Sequence, residues 1–317
     1  GAYPAAAAAA ATALSLAEED QQRVRGKDFA IAEHHHGKTR VRVLKVDRRK
    51  PKHEMREYQV ETTLWSPVYE KVFRKGDNAD LVATDTQKNT VYVVAKRTRA
   101  DTPEAFGIAL AEHFLSEYSM LTKVRVEVEQ ANWERYSGEH DHAWLRASPA
   151  ADVAVVEKSR GDDDVRVASE IRGMTFIKTT QSGFEGYLKD SYTMLPECTE
   201  RCLGSELSAK WNYSKVPEDF AASRASVKRS IEAALFGPAR GGHYSPSLQA
   251  TIYDGACLAL EREPTIANVA ISTPNLHYLP AHFLARLPGD DFADDVFVPT
   301  NEPSGTIFCD VARTSSS

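Results

Sequence analysis

Several short stretches of this chain carry side chains able to hold a flat, anionic heterocycle and to move its protons. Thr84-Asp85-Thr86-Gln87 fits the T-x-x-Q pattern that opens a helix, with Thr84 as cap, which would mount a hydroxyl rigidly beside the Asp85 carboxylate. Taken alone, the pattern reads as an ordinary helix start. Leu248 and Gln249 fall in the first turn of a helix expected after a Ser245-Pro246 cap. Backbone N–H groups there are unpaired and the helix dipole favours negative charge. The Gln249 amide both donates and accepts, which suits the edge of a heterocycle, although a plain surface helix position is the alternative. Asn275 and His277 follow a strand and project to one side if the chain stays extended. An amide beside an imidazole can hold and protonate a small oxygen species, unless the pair is only a polar strand end. Phe184, next to Gly183, suits either a stacking plate or a core position. Arg201, in the irregular stretch between Pro196 and Leu203, offers a bidentate grip on an anion or else is solvated.

The elements that must position these groups are partly legible. Val41, Val43, Leu44 and Val46 put apolar residues on both faces of a first strand, and 58–64 forms a second. The β-branched and aromatic run 91–95 has the composition of a buried third strand. Thr102-Pro103 supplies a cap and a first-turn proline. Phe106, Ala109, Leu110, Phe114 and Leu121 follow at helical spacing, with His113 a packed or interface histidine. Val124, Val126 and Val128 alternate with Arg125, Glu127 and Glu129, a strand wet on one face. After Arg160-Gly161-Asp162-Asp163-Asp164 the pattern restarts. Strands are expected over 165–177 and 207–213, a helix through Phe220, Val227, Ile231 and Leu235 stopping at Gly237, and a helix through Leu248, Ile252, Ala256 and Leu260. Strands at 269–272 and 307–311 close the chain. Two rounds of strands, helices and strands indicate a duplicated α+β unit.

The 317 residues suffice for one large core or two ordinary ones. A hydrophobic content of 42% with 26% charged residues is that of a soluble globular protein. Net charge is −6 with both signs mixed along the chain, which gives no electrostatic reason for a nucleic-acid or anionic-membrane partner. No apolar run approaches the roughly 20 residues of a membrane helix. Cys198, Cys202, Cys257 and Cys309 form no CxxC pair and no disulfide scaffold, so a reducing compartment is expected. A metal pair at Cys198 and Cys202 lacks the tighter spacing of zinc ligands, and His34-His35-His36 reads as a solvated run. Residues 1–36 form a low-complexity extension without the basic start of a secretory signal.

GKTRVRVLKV at 37–46, GDNADLVATDTQKNTVYVVAK at 76–96, TTQSGFEGYLKDSYTML at 179–195, YSPSLQATIY at 244–253 and PNLHYL at 274–279 together resemble the urate oxidase (uricase) family, over 37–313. The resemblance implies two tandem T-fold domains, 37–162 and 163–313, each an antiparallel sheet backed by helices, with a short tail at 314–317. It implies assembly into a tunnel-shaped barrel and a homotetramer, with sites shared between subunits. It further implies oxidation of urate by O2 and water to 5-hydroxyisourate and hydrogen peroxide, with no metal or organic cofactor. By matching position, Lys38 and Thr84 resemble the catalytic dyad and His277 the third member of a proton relay. Phe184 would stack on the purine; Arg201 and Gln249, with the backbone at Leu248, would clamp its edge. Asn275 and Thr84 would hold oxygen or water, Asp85 would contribute through its backbone, and Leu195 would line the pocket. Glu200 stands where the family carries an aspartate, and Thr193-Met194 where it carries a threonine pair. The ending Thr314-Ser315-Ser316-Ser317 differs from the S-K-L address of eukaryotic relatives, which implies a bacterial, cytoplasmic enzyme. Two rivals are another T-fold enzyme acting on purines or pterins, which commonly uses a glutamate anchor and a histidine-bound zinc, and a non-catalytic urate-binding protein.

Overall fold

The computed structural model describes residues 13–15, 29–287 and 293–314; the alanine-rich run 5–11, Glu18-Glu19-Asp20 and the last three serines lie outside them. Strands β1 (His36–Asp47) and β2 (Glu54–Trp65) form an antiparallel pair. Helices α1 (Glu70–Lys75), α2 (Thr84–Arg97) and α3 (Pro103–Glu117) follow, and then the pair β3 (Lys123–Arg135) and β4 (Trp144–Ser159). The second half repeats this order: β5 (Arg166–Lys178) and β6 (Leu203–Tyr213), helices α4 (Phe220–Phe236) and α5 (Leu248–Arg262), then β7 (Ile266–Pro280), with β8 (Phe297–Thr300) and β9 (Thr306–Ala312) both pairing β7. All nine strands join one antiparallel sheet, with β1 to β8 in sequence order.

The helices cover one face of this sheet. Val60, Leu64, Val124, Val126 and Val128 meet Val91, Val94, Phe106, Leu110 and Phe114 in a first core. A second core packs Leu207, Trp211, Val269 and Ile271 against Val227, Ile231, Ile252 and Ala256. The other face is wet, as the alternation in β3 predicts. There Arg125 pairs with Glu127 at 2.8 Å, and Arg172 with Glu170, Glu127 and Glu129 at 2.9, 3.2 and 3.2 Å. At the seam of the halves, the fully buried Glu104 of α3 pairs with Arg224 of α4. That guanidinium also donates to the backbone oxygens of Glu170 and Val153, at 2.7 and 3.1 Å.

Several boundaries match their signals. The Thr102 hydroxyl accepts from Ala105 N at 3.2 Å to cap α3, and Gly237, at φ 67°, ends α4. Arg160-Gly161-Asp162-Asp163-Asp164 is the turn between β4 and β5, with Gly161 at φ 90°.

Other expectations are corrected. Residues 91–95 are not a strand but the second half of α2. Gln87, Thr90, Val91, Val94 and Ala95 form its buried stripe, a 3.6-residue period that tertiary packing favours over the β-propensity of valine. Thr84 is not the cap of α2; Ala83 holds that position, with no side-chain capping bond. Ser247, not Ser245, caps α5, accepting from Ala250 N at 3.1 Å. Ser245 is buried, its hydroxyl paired with the Thr251 hydroxyl at 2.5 Å and within reach of the Ser247 carbonyl at 3.1 Å. Leu121 lies beyond the end of α3, and Asn275 and His277 lie inside β7 rather than after a strand. Nor is His34-His35-His36 a solvated run: the rings pack on Phe73, Trp65 and Tyr69 at 5.5, 5.2 and 5.9 Å, and His36 Nε2 bonds the Val82 carbonyl at 2.9 Å.

Candidate active site

The candidate residues fall into two groups. In the first, Lys38 sits on β1 opposite Thr62, at a bulge where Arg40 adopts φ 57°. A left-handed arginine is a strained choice, and bulges re-aim the side chains beside them. Gly37 is required here: a Cβ would lie 2.2 Å from the Thr62 carbonyl oxygen. Thr84 is the first residue of α2, so its hydroxyl is not spent on capping. Asp85 donates no free carboxylate to the site. Its oxygens take hydrogen bonds from Lys88 and from Asn89 at 2.8 Å. The Lys88 bond holds the carboxyl below its ordinary range, and the charge of nearby Lys38 adds to the effect.

The second group gathers around the segment 180–201. This segment is stitched to the start of α5: Gly183 N donates to Ser245 O and Ser245 N to Gln181 O, both at 2.9 Å. Gly183 has no room for a side chain, since a Cβ would meet the Tyr244 hydroxyl at 2.1 Å. Phe184 exchanges backbone hydrogen bonds with Cys198, and Arg201 N donates to Ser182 O at 2.9 Å. Phe184 and Arg201 are thereby brought together, the guanidinium 5.5 Å from the ring centroid. Tyr187 stacks on one face of Phe184 at 4.8 Å and 10°, a partner the sequence did not suggest. Burial pulls the Arg201 pKa down, and among the described residues no carboxylate pairs with its guanidinium. A half-desolvated cation without a counter-ion is a site prepared for an anion.

Glu200, which stands where the family carries an aspartate, is the adjacent carboxylate, yet it does not pair with Arg201. Its carboxylate accepts from the Thr180 hydroxyl at 2.7 Å and from Gln181 N at 2.6 Å, which lowers its pKa and commits it to the loop. The Cys198 and Cys202 thiols face the carbonyls of Glu200 and Thr179, at 2.7 and 3.8 Å.

Leu248 is buried at the first position of α5 and Gln249 is exposed beside it. Ala250 N and Thr251 N are taken by Ser247, so the N–H groups at 248 and 249 stay outside the helix's own bonding. β7 brings in Asn275, opposite Ser205, and His277, opposite Thr300. Arg201 precedes β6 by two residues and so lies next to this end of β7. Asn275 Oδ1 is buried with no hydrogen-bond partner among the described residues, an acceptor demanding a donor. Leu195 is 58% exposed, in a run with Leu188, Tyr192 and Met194 all at least 90% exposed.

One chain does not bring the two groups together. Six inter-strand steps separate β1 from β7 in the sheet order, roughly 29 Å at about 4.8 Å per step. A depression of about 290 Å³ on the open sheet face, lined by Arg40, Glu61, Glu127 and Glu129 among others, contains none of the candidate residues.

The fold is the tandem antiparallel T-fold, and it sets a guanidinium, an aromatic ring and the start of a helix near one another. The uricase family model matches residues 34–157 and 167–308, and the chain belongs to the uricase family. It is 40% identical over 308 residues to a soybean (Glycine max) protein named uricase-2 isozyme 2, covering 92% of this chain and 97% of that one. It is 35% identical over 299 residues to the uricase of Oryctolagus cuniculus, covering 92% and 98%. The crystal structure of uricase from Arthrobacter globiformis superposes with a TM-score of 0.83 at 34% identity, over 92% of this chain and 97% of that one. No helix among the described residues is long and apolar enough to cross a membrane.

Proposed function

We propose that this protein oxidises urate with O2 and water to 5-hydroxyisourate and hydrogen peroxide, with no metal or organic cofactor. The half-buried Arg201 guanidinium, unpaired by any carboxylate among the described residues and set beside Phe184 and the start of α5, is the observation that carries the reading. Urate is a planar anion. Arg201 and Gln249 grip its edge with the backbone N–H at Leu248, and hydrogen bonds to the guanidinium contribute ~1.5–3 kcal/mol each. The face of Phe184 away from Tyr187 stacks on the purine, adding ~1–3 kcal/mol by analogy with bases on aromatic rings. Leu195 lines the pocket and Asp85 contributes through its backbone.

Binding orders the ligand; rate comes from proton transfer and electrostatics. A threonine hydroxyl alone is a poor base, so Lys38 completes the relay that carries urate's proton away through Thr84. The purine, richer in charge, gives two electrons to O2 held at Asn275 and Thr84. Water adds its oxygen to the ring as hydroxide, and the protons end on peroxide through His277. Lys38 and Thr84 lie far along the sheet from Arg201, so a second copy of the chain completes each site. The assembly is a homotetramer of chains divided into units 37–162 and 163–313.

The test is oxygen consumption, urate absorbance and peroxide release followed together on metal-stripped protein. One O2 consumed and one peroxide formed per urate is expected. Binding without turnover, or activity that returns only with added metal, overturns the reading.

A further inference from the structure

We propose that Gln87 is the positioning residue that holds Lys38 and Thr84 in register for proton transfer, an inference resting on the functional reading above. The T-x-x-Q pattern assigned Gln87 to a capping box, where its amide would reach back to the cap's own N–H. The structure uses it differently. Gln87 is fully buried in the first turns of α2, and its Oε1 accepts from the Thr62 hydroxyl of β2 at 2.8 Å. Its Nε2 donates to the Val82 carbonyl at 3.2 Å, and the same carbonyl takes a hydrogen bond from His36 Nε2 at 2.9 Å. One amide therefore ties together β2, the segment entering α2, and, through Val82, the first residue of β1.

The placement of this junction is what gives it a role. Thr62, also fully buried, is the register partner of Lys38, and Gln87 lies one turn beyond Thr84. β1 approaches β2 so closely at this point that Gly37 cannot carry a Cβ. Any slide or rotation of α2 against the strand pair thus breaks the Thr62–Gln87 bond and moves the Thr84 hydroxyl relative to Lys38. An aliphatic side chain would fill the same volume, but only an amide both accepts from the hydroxyl and donates to the carbonyl, fixing direction as well as distance. Gln87 touches neither substrate nor oxygen. It acts through the geometry of the pair.

The test is steady-state oxidation of urate, with urate affinity measured separately without oxygen, on Gln87→Leu, Thr62→Val and Thr62→Ser. The urate clamp lies on other segments, so Gln87→Leu and Thr62→Val should lower kcat by on the order of 10- to 100-fold with urate Kd within about twofold. Thr62→Ser keeps the hydroxyl and should restore turnover, and the Gln87→Leu/Thr62→Val double variant should be no slower than the worse single one. Should Gln87→Leu fail to fold, Thr62→Val, which keeps the shape and loses the hydroxyl, and Thr62→Ser, which keeps the hydroxyl and loses a methyl, carry the test alone. Folded variants with wild-type kcat, or with kcat and urate affinity lost in parallel, overturn the assignment. A wild-type protein that never consumes urate fails at the functional reading instead, and this inference falls with it.

Discussion

At the scale of single residues, what separates a binding arginine from an ordinary one is burial without a carboxylate counter-ion, and Arg201 has none among the described residues, its Nε donating only to the Ser182 hydroxyl at 3.4 Å. Arg201 is half-buried and its neighbour Glu200 is occupied by Thr180 and Gln181, so the guanidinium's charge is left to a ligand. Arg201→Ala should weaken urate binding by roughly 2–5 kcal/mol, as expected when one partner of a desolvated charge pair is removed. Titration calorimetry without oxygen measures it, and unchanged affinity would remove Arg201 from the clamp. Glu200 yields a pH dependence. Its carboxyl is held below the ordinary 4.5, chiefly by the Thr180 hydroxyl, so the folded protein takes up fewer protons there than an unfolded chain. The loop's stabilisation is therefore full above about pH 4.5 and fades as pH falls through the lower folded value. Hydrogen-exchange protection of the Gln181 amide should drop across that acid range in the wild type. In Glu200→Gln it should show no such step.

Elements decide where these residues stand, and the sequence displays those elements unevenly. The capping serine of α5 illustrates both the success and the error. A polar cap before Leu248 was legible, but two serines flank Pro246, and only the fold shows that Ser247 accepts from Ala250 N while Ser245 is buried in the stitch to Gln181. Ser247→Ala should cost about 1 kcal/mol of stability in thermal or denaturant unfolding. It should also weaken urate binding, because the cap orients the N–H groups at 248 and 249. Loss of stability with intact affinity would separate the cap from the site. The helix α2 was harder to read. Its Val91-Tyr92-Val93-Val94 run has strand composition, and only the buried stripe from Gln87 to Ala95 reveals the helical period. That stripe was hidden because two of its members, Gln87 and Thr90, are polar and give no hydrophobic signal. Strands β1 and β3, where valines alternate with charged residues, needed no such context.

For the whole molecule, the decisive fact is that one continuous sheet carries Lys38 at one edge and the clamp near the other. The Glu104–Arg224 pair and the antiparallel register of β4 with β5 fix the two halves to each other, so folding one chain back on itself would have to break a buried ion pair and a strand ladder. Bringing a second chain alongside breaks neither, and the exposed apolar run at Leu188, Tyr192 and Met194 is available for such a contact. A shared site has a consequence that a self-contained site cannot have. Thr84→Ala and Arg201→Ala subunits should each lose most activity at limiting urate in a homogeneous assembly, because every site lacks one component. In mixed assemblies, some sites draw their clamp from the Thr84→Ala chain and their proton relay from the Arg201→Ala chain, and these sites are intact. Co-refolding equal amounts, with native mass spectrometry to verify mixing, should return about a quarter of wild-type activity if partners pair at random and sites act independently. No recovery in verified mixed assemblies would place the whole reaction within one chain, against the separation of the two groups along the sheet.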